Sequence, residues 1–186
     1  MTDDNPPPVA AQPVVQLQFV LEGSSWWRPR TWGSAAIAWF SAGHLSHVDS
    51  IVPPGIDWAP AGHLFGARSD AVGGQPPGVR VRPPDYALFK HRVVATIPAS
   101  DEEVAAFWQF QRAQLGKPYD SRAIWGFVFG RNWREIDSWI CSEDASAAVE
   151  AMRRTVKFYV ACNKITPVAC ALAVSAMPGT TMEVIA

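Results

Sequence analysis

At Ser100 the chain changes its hydrophobic period, and this break constrains the fold more than any other feature. Before it come short segments that read as strands: Val14 to Leu21, which alternates in its middle, then Leu45 to Val52, His63 to Arg68, Val79 to Arg82 and Arg92 to Ile97. Pro53-Pro54-Gly55 and Gly73-Gly74-Gln75-Pro76-Pro77-Gly78 separate them as turns, and only Ser34 to Phe40 reads as a short helix. At the break, Ser100-Asp101-Glu102-Glu103 is a capping box, in which Ser100 and Glu103 satisfy each other's exposed N–H groups. The helix it opens carries Val104, Phe107, Trp108 and Leu115 on one stripe and is expected to end at Gly116, with Pro118 beyond. Further helices are expected over Ser121 to Phe129, over Ile140 to Met152, and over Val168 to Val174 behind Thr166-Pro167. Strands first and helices later is the order of an α+β domain, here an antiparallel sheet of about five strands with helices against one face.

Composition narrows the function classes. With 48% hydrophobic and 18% charged residues in 186, the chain can bury a real core and is read as a disordered leader over residues 1–13 followed by a single domain over residues 14–186. The net charge of −1 is spread without a basic run, so nucleic acid is not expected as a partner. Three cysteines without a C-x-x-C spacing argue against a disulfide framework and a zinc ribbon, and no metal or cofactor is expected. The acidic, proline-rich start lacks the pattern of a signal peptide, and no apolar stretch is long enough to span a bilayer. A reduced, cytoplasmic protein is the expectation. Nine tryptophans, among them Trp39, Trp58, Trp133 and Trp139, suit either a core or an aromatic-lined cleft for a peptide or acyl substrate.

Chemistry enters with Cys141. From it onward Ala145, Ala148, Val149 and Met152 fall at helical spacing, so the thiol stands at a helix amino terminus, where unpaired N–H groups and the macrodipole favour a thiolate. Upstream, Gly43-His44-Leu45-Ser46-His47-Val48-Asp49 leads into a strand that presents His47. Taken alone, a free cysteine is most often a small buried hydrophobe and a lone histidine a hydrogen-bonded structural residue. Together they are the minimum equipment of cysteine-nucleophile catalysis. Glu143 and Asp144 in the same turn suit any helix start, but their charge opposes a thiolate unless they point away from it. His44, His91, Cys162 and Cys170 have no partner motif and read as structural or packing residues.

Four fragments in order, Ser46-His47-Val48-Asp49, Gly66-Ala67-Arg68-Ser69-Asp70, Gly116-Lys117-Pro118-Tyr119-Asp120 and Trp139-Ile140-Cys141-Ser142-Glu143, give the chain a family likeness. Over roughly Leu17 to Val174 it resembles the circularly permuted NlpC-type papain-like cysteine hydrolases, the YiiX-like proteins among them, and more remotely lecithin–retinol acyltransferase. The resemblance implies a permuted papain-like fold, Cys141 as nucleophile, His47 as the base that takes its proton, and a third residue on the adjoining strand that orients the imidazole. YiiX-like relatives place a glutamate where this chain has Gly66, which cannot do so. His63 is the first substitute, because acyltransferase-like members use a second histidine on that strand. Asp70 and Asp49 are the alternatives, Asp49 sharing the strand face of His47; a backbone carbonyl or water can also fix the tautomer. The implied substrates are cell-wall peptides or acyl lipids, the former reached from the cytoplasm only by a phage-type delivery route. Gly66 also leaves open a binding module whose catalytic site has decayed.

Overall fold

The computed structural model describes residues 12–22, 45–120, 139–154 and 165–185. The expected helices at 34–40 and 121–129, most of the leader, His44 and Cys162 lie outside them. The described residues form strands β1 (Val14–Glu22), β2 (His47–Ile51), β3 (Leu64–Arg68), β4 (Gly78–Arg82), β5 (Phe89–Pro98) and β6 (Thr181–Ile185). Helices α1 (Asp101–Gln114), α2 (Cys141–Ala151) and α3 (Pro167–Ser175) fall between β5 and β6. The strands make one antiparallel sheet in the order β4-β3-β2-β1-β5-β6. This is an α+β fold of six strands rather than five.

Alternation sorts the sheet into two faces. Val15, Leu17 and Phe19 of β1 lie level with Ile97, Ala95 and Val93 of β5, and Phe19 with Val48 of β2. With Phe65, Ala67 and Val79 they form one apolar cluster with Phe107 and Trp108 of α1, Ala145, Ala148 and Val149 of α2, and Cys170 and Val174 of α3. Burying each large aliphatic or aromatic side chain contributes roughly 1.5–3 kcal/mol, so this face drives folding. Trp58 belongs to it, edge-on to Phe65 at 5.6 Å and tilted against Trp108 at 6.0 Å, which makes it a core tryptophan.

The helix signals hold at their starts. Ser100 accepts from the Glu103 N–H at 3.3 Å while the Glu103 carboxylate accepts from the Ser100 N–H at 2.8 Å. Thr166 caps α3 by accepting from the Ala169 N–H, with Pro167 in the first turn. The α1 stripe differs from expectation at its end: Leu115 is exposed beyond the last turn, and Gln111 and Gln114 take the buried positions. The sixth strand, β6, was not expected; all five of its residues are exposed, and it is held by its backbone pairing with β5. Among the described residues no helix is long and apolar enough to cross a membrane.

Candidate active site

His47 and Cys141 are each the first residue of their element, β2 and α2. The segment that delivers Cys141 is pinned by backbone pairing: the Trp139 N–H donates to the Pro118 carbonyl and the Asp120 N–H to the Trp139 carbonyl, each at 3.1 Å. That segment is tied in turn to β4, where the Val79 N–H donates to the Lys117 carbonyl at 2.9 Å and the Gly116 N–H to the Val79 carbonyl at 3.0 Å. The Gly-Lys-Pro-Tyr-Asp motif thus spans from the sheet edge to the start of the cysteine helix. Its Asp120 is buried, and Tyr119 is half-buried near Cys141, where desolvation and the neighbouring thiol hold the phenol protonated well above its ordinary range.

Cys141 lies near enough to the imidazole to favour its charged form. The ring bonds Asp49, with Nε2 and Oδ1 2.8 Å apart. Burial opposes charge on this ring, but Asp49 and then Cys141 outweigh it and raise the His47 pKa to about 10. Burial likewise disfavours a charged Asp49, and His47 reverses that, so its carboxyl lies below the ordinary range. Cys141, His47 and Asp49 are all buried, which strengthens each of these interactions.

The orienting place is therefore held by Asp49 and not by His63, the first sequence-based choice. β2 and β3 pair with Ser50 level with Phe65 and Ile51 level with Leu64. His63 precedes β3 and lies level with Val52, whose N–H donates to the His63 carbonyl at 2.9 Å. That is five residues along the strand from His47, a span of roughly 16 Å. Its Nδ1 is buried without a hydrogen-bond partner among the described residues. Asp70 accepts from Arg68 Nε at 2.8 Å.

Gly66 explains why Asp49 can do this from the same strand as His47. Continuing the β2–β3 register sets Gly66 across from Asp49, and a Cβ on Gly66 would collide with Asp49 Oδ1. The carboxylate thus fills the space that a side chain at position 66 would occupy. The backbone beneath it is fixed by Arg82, a buried arginine whose Nη1 donates to the Gly66 carbonyl at 3.0 Å and whose Nη2 donates to the Pro76 and Gly78 carbonyls. Asp49 Oδ2 accepts from the Tyr86 hydroxyl at 2.7 Å. Sequence reasoning passed over Tyr86 because it lies in the β4–β5 connection, outside any periodic pattern.

The acids of the first α2 turn are both buried. Gln111 bridges from α1, its amide oxygen taking the Ser50 hydroxyl at 3.0 Å and its amide nitrogen donating to the Asp144 carboxyl at 3.1 Å. Burial, helped by Asp49, pushes the Asp144 pKa up to about 8. Asp144 is then neutral at pH 7 and places no negative charge beside the thiol. The helix start itself has no side-chain cap at Ile140. The Cys141 N–H, at the first helical position, has no intrahelical partner by geometry. Among the described residues no three His, Cys, Asp or Glu side chains gather as metal ligands.

No protein-family model matches this chain, and no curated protein matches it in sequence.

Proposed function

We propose that the protein is a cysteine-nucleophile hydrolase of permuted papain-like type, acting on amide, ester or thioester carbonyls. The observation that carries this reading is a buried cluster in which His47 bonds Asp49 at 2.8 Å and lies near enough to Cys141 for the two to interact. His47 holds the thiol proton as an imidazolium, the form that Asp49 and Cys141 favour, and the sulfur attacks the carbonyl carbon, forming a C–S bond and an oxyanion that the Cys141 N–H can receive. The bond from carbon to the leaving nitrogen, oxygen or sulfur breaks, and the leaving group takes the proton from His47. Water, deprotonated by His47, then cleaves the acyl-enzyme and restores the thiol; another acceptor in place of water makes the same cycle an acyl transfer. Asp49 keeps the imidazole in the productive tautomer and stabilises its charged form.

Peptide amides rank first as substrates and acyl lipids second, following the hydrolases that the sequence resembles. The decayed-module alternative drew its support from Gly66. Asp49 fills the space over that glycine, which favours the hydrolase reading.

The test is labelling of Cys141 by iodoacetamide from pH 5 to 9, read by mass spectrometry, with muropeptides and fluorescent phospholipid or thioester substrates offered in parallel. At neutral pH Cys141 is expected to react faster than a free thiol of pKa about 8.5, and His47→Ala to lower acyl-probe labelling by about 10²–10⁴-fold. Ordinary, slow labelling that His47→Ala leaves unchanged would show that the pair is not a catalytic one.

A further inference from the structure

The far side of Asp49 carries a set of contacts that the three-residue mechanism does not use. Tyr86 lies between β4 and β5, is 8% exposed, and directs its hydroxyl at Asp49 Oδ2. Arg68 Nη1 donates to the phenol oxygen at 3.2 Å, which turns the hydroxyl hydrogen toward the carboxylate. Asp70 braces Arg68 from behind. The ring is held as well as the hydroxyl: the Arg68 and Arg82 guanidinium carbons lie 5.1 and 5.9 Å from its centroid, and Phe89 meets it edge-on at 5.4 Å. Gly73, at φ +61°, gives the ring its room, since a Cβ there would come within 2.7 Å of the Tyr86 Cβ. Contributions from β3, β4, β5 and the Gly73 turn thus converge on one phenol.

A carboxylate bonded through a single oxygen can still turn about its Cβ–Cγ bond. A donor fixed on the second oxygen removes that freedom and sets the plane in which Oδ1 meets His47 Nε2. We propose that Tyr86 is a positioning residue of this site, extending it to the chain Cys141–His47–Asp49–Tyr86 with Arg68 as its anchor. The inference rests on the thiol-hydrolase reading, and its test separates the two.

Tyr86→Phe keeps the ring and removes only the hydroxyl. Two quantities are read beside the unsubstituted protein and His47→Ala: the rate of Cys141 alkylation from pH 5 to 9, and the proton resonance of His47 Nε2–H. Tyr86→Phe is expected to slow alkylation at neutral pH about tenfold, the scale of one hydrogen bond to a charged group, and to broaden the Nε2–H resonance through faster exchange. A purely structural phenol would change the melting temperature but neither readout well below it. An activated thiol in the unsubstituted protein together with an unchanged rate and resonance in Tyr86→Phe overturns the role of Tyr86 and leaves the hydrolase standing. An unactivated thiol in the unsubstituted protein overturns both. Should Tyr86→Phe fail to fold, 3-fluorotyrosine at position 86 preserves shape and strengthens the donor. It is expected to move the Nε2–H resonance, and an unmoved resonance overturns the proposal.

Discussion

Two helices of this protein begin with acids in their first turn and treat them in opposite ways. At the start of α1, in solvent, Ser100 and Glu103 close a capping box, and Arg154 grips the Glu103 carboxylate with Nε and Nη2, each at 2.8 Å. The Arg154 bonds, with the Ser100 N–H, hold Glu103 ionised and lower its pKa to about 2. At the start of α2, inside the protein, Asp144 meets the neutral Gln111 amide and is pushed up to about 8. One start has its N–H groups answered by side chains; the other has no side-chain cap. An acid in a first turn is therefore not one signal. Water and partners decide whether it is a charge that stabilises the helix or a neutral hydrogen-bonding group that spares a neighbouring thiol.

Asp144→Asn tests the contrast where the expected effect is largest. An acid whose folded pKa is raised keeps its proton in the native state while the unfolded chain loses it. Stability therefore falls by about 1.4 kcal/mol per pH unit from the ordinary carboxyl pKa near 4 up to the folded value; for Asp144 that window closes near pH 8. Asn keeps the shape and the bond from Gln111, so denaturant midpoints are expected to lose this slope and the variant to gain stability at pH 8. His47, with its own pKa raised, loses stabilisation between about pH 6.5 and 10 in both proteins, so it cancels in the difference. Equal slopes in the two proteins would mean that Asp144 is charged in the fold.

Ser100→Ala comes next, with an expected loss of about 1 kcal/mol from the opened capping box and no change in Cys141 labelling. A change in labelling would show that the two helix starts are coupled. Glu103→Gln carries the smallest effect, because the Arg154 pair is partly exposed and screened. Its stabilisation is present above the ordinary glutamate pKa and is lost as pH falls toward about 2, so the two proteins should converge in acid melts. Divergence that grows toward pH 2 would contradict the depressed carboxyl.

Five strands were legible in the sequence, β1 from its alternation and the others from short apolar runs between Pro- and Gly-rich turns. β2 and β3 are buried on both faces and do not alternate. β6 was not legible, because Thr181–Ile185 is exposed throughout and side-chain pattern does not record backbone pairing at an edge. Cys141 and His47 were legible as a pair through motif and order. Asp49 was visible as a neighbour two residues on, but the expectation that an orienter comes from the adjoining strand ranked His63 above it. The signal that could have found it was Gly66 itself, the missing side chain opposite. Tyr86 had no such signal, since a residue in an aperiodic connection is placed only by the tertiary fold. Gln111 and Gln114 broke the helix pattern in the same way, as polar residues on a face expected to be apolar.

The space above Gly66 also bears on how this sequence can vary. Positions 49 and 66 share one volume, so the acid belongs to the strand pair rather than to either strand. A side chain gained at 66 evicts the carboxylate at 49, and an acid moved to 66 requires a small residue at 49. Neither position can drift alone. The two arrangements are joined only by a double replacement, and each single step between them leaves the imidazole unheld or overcrowded.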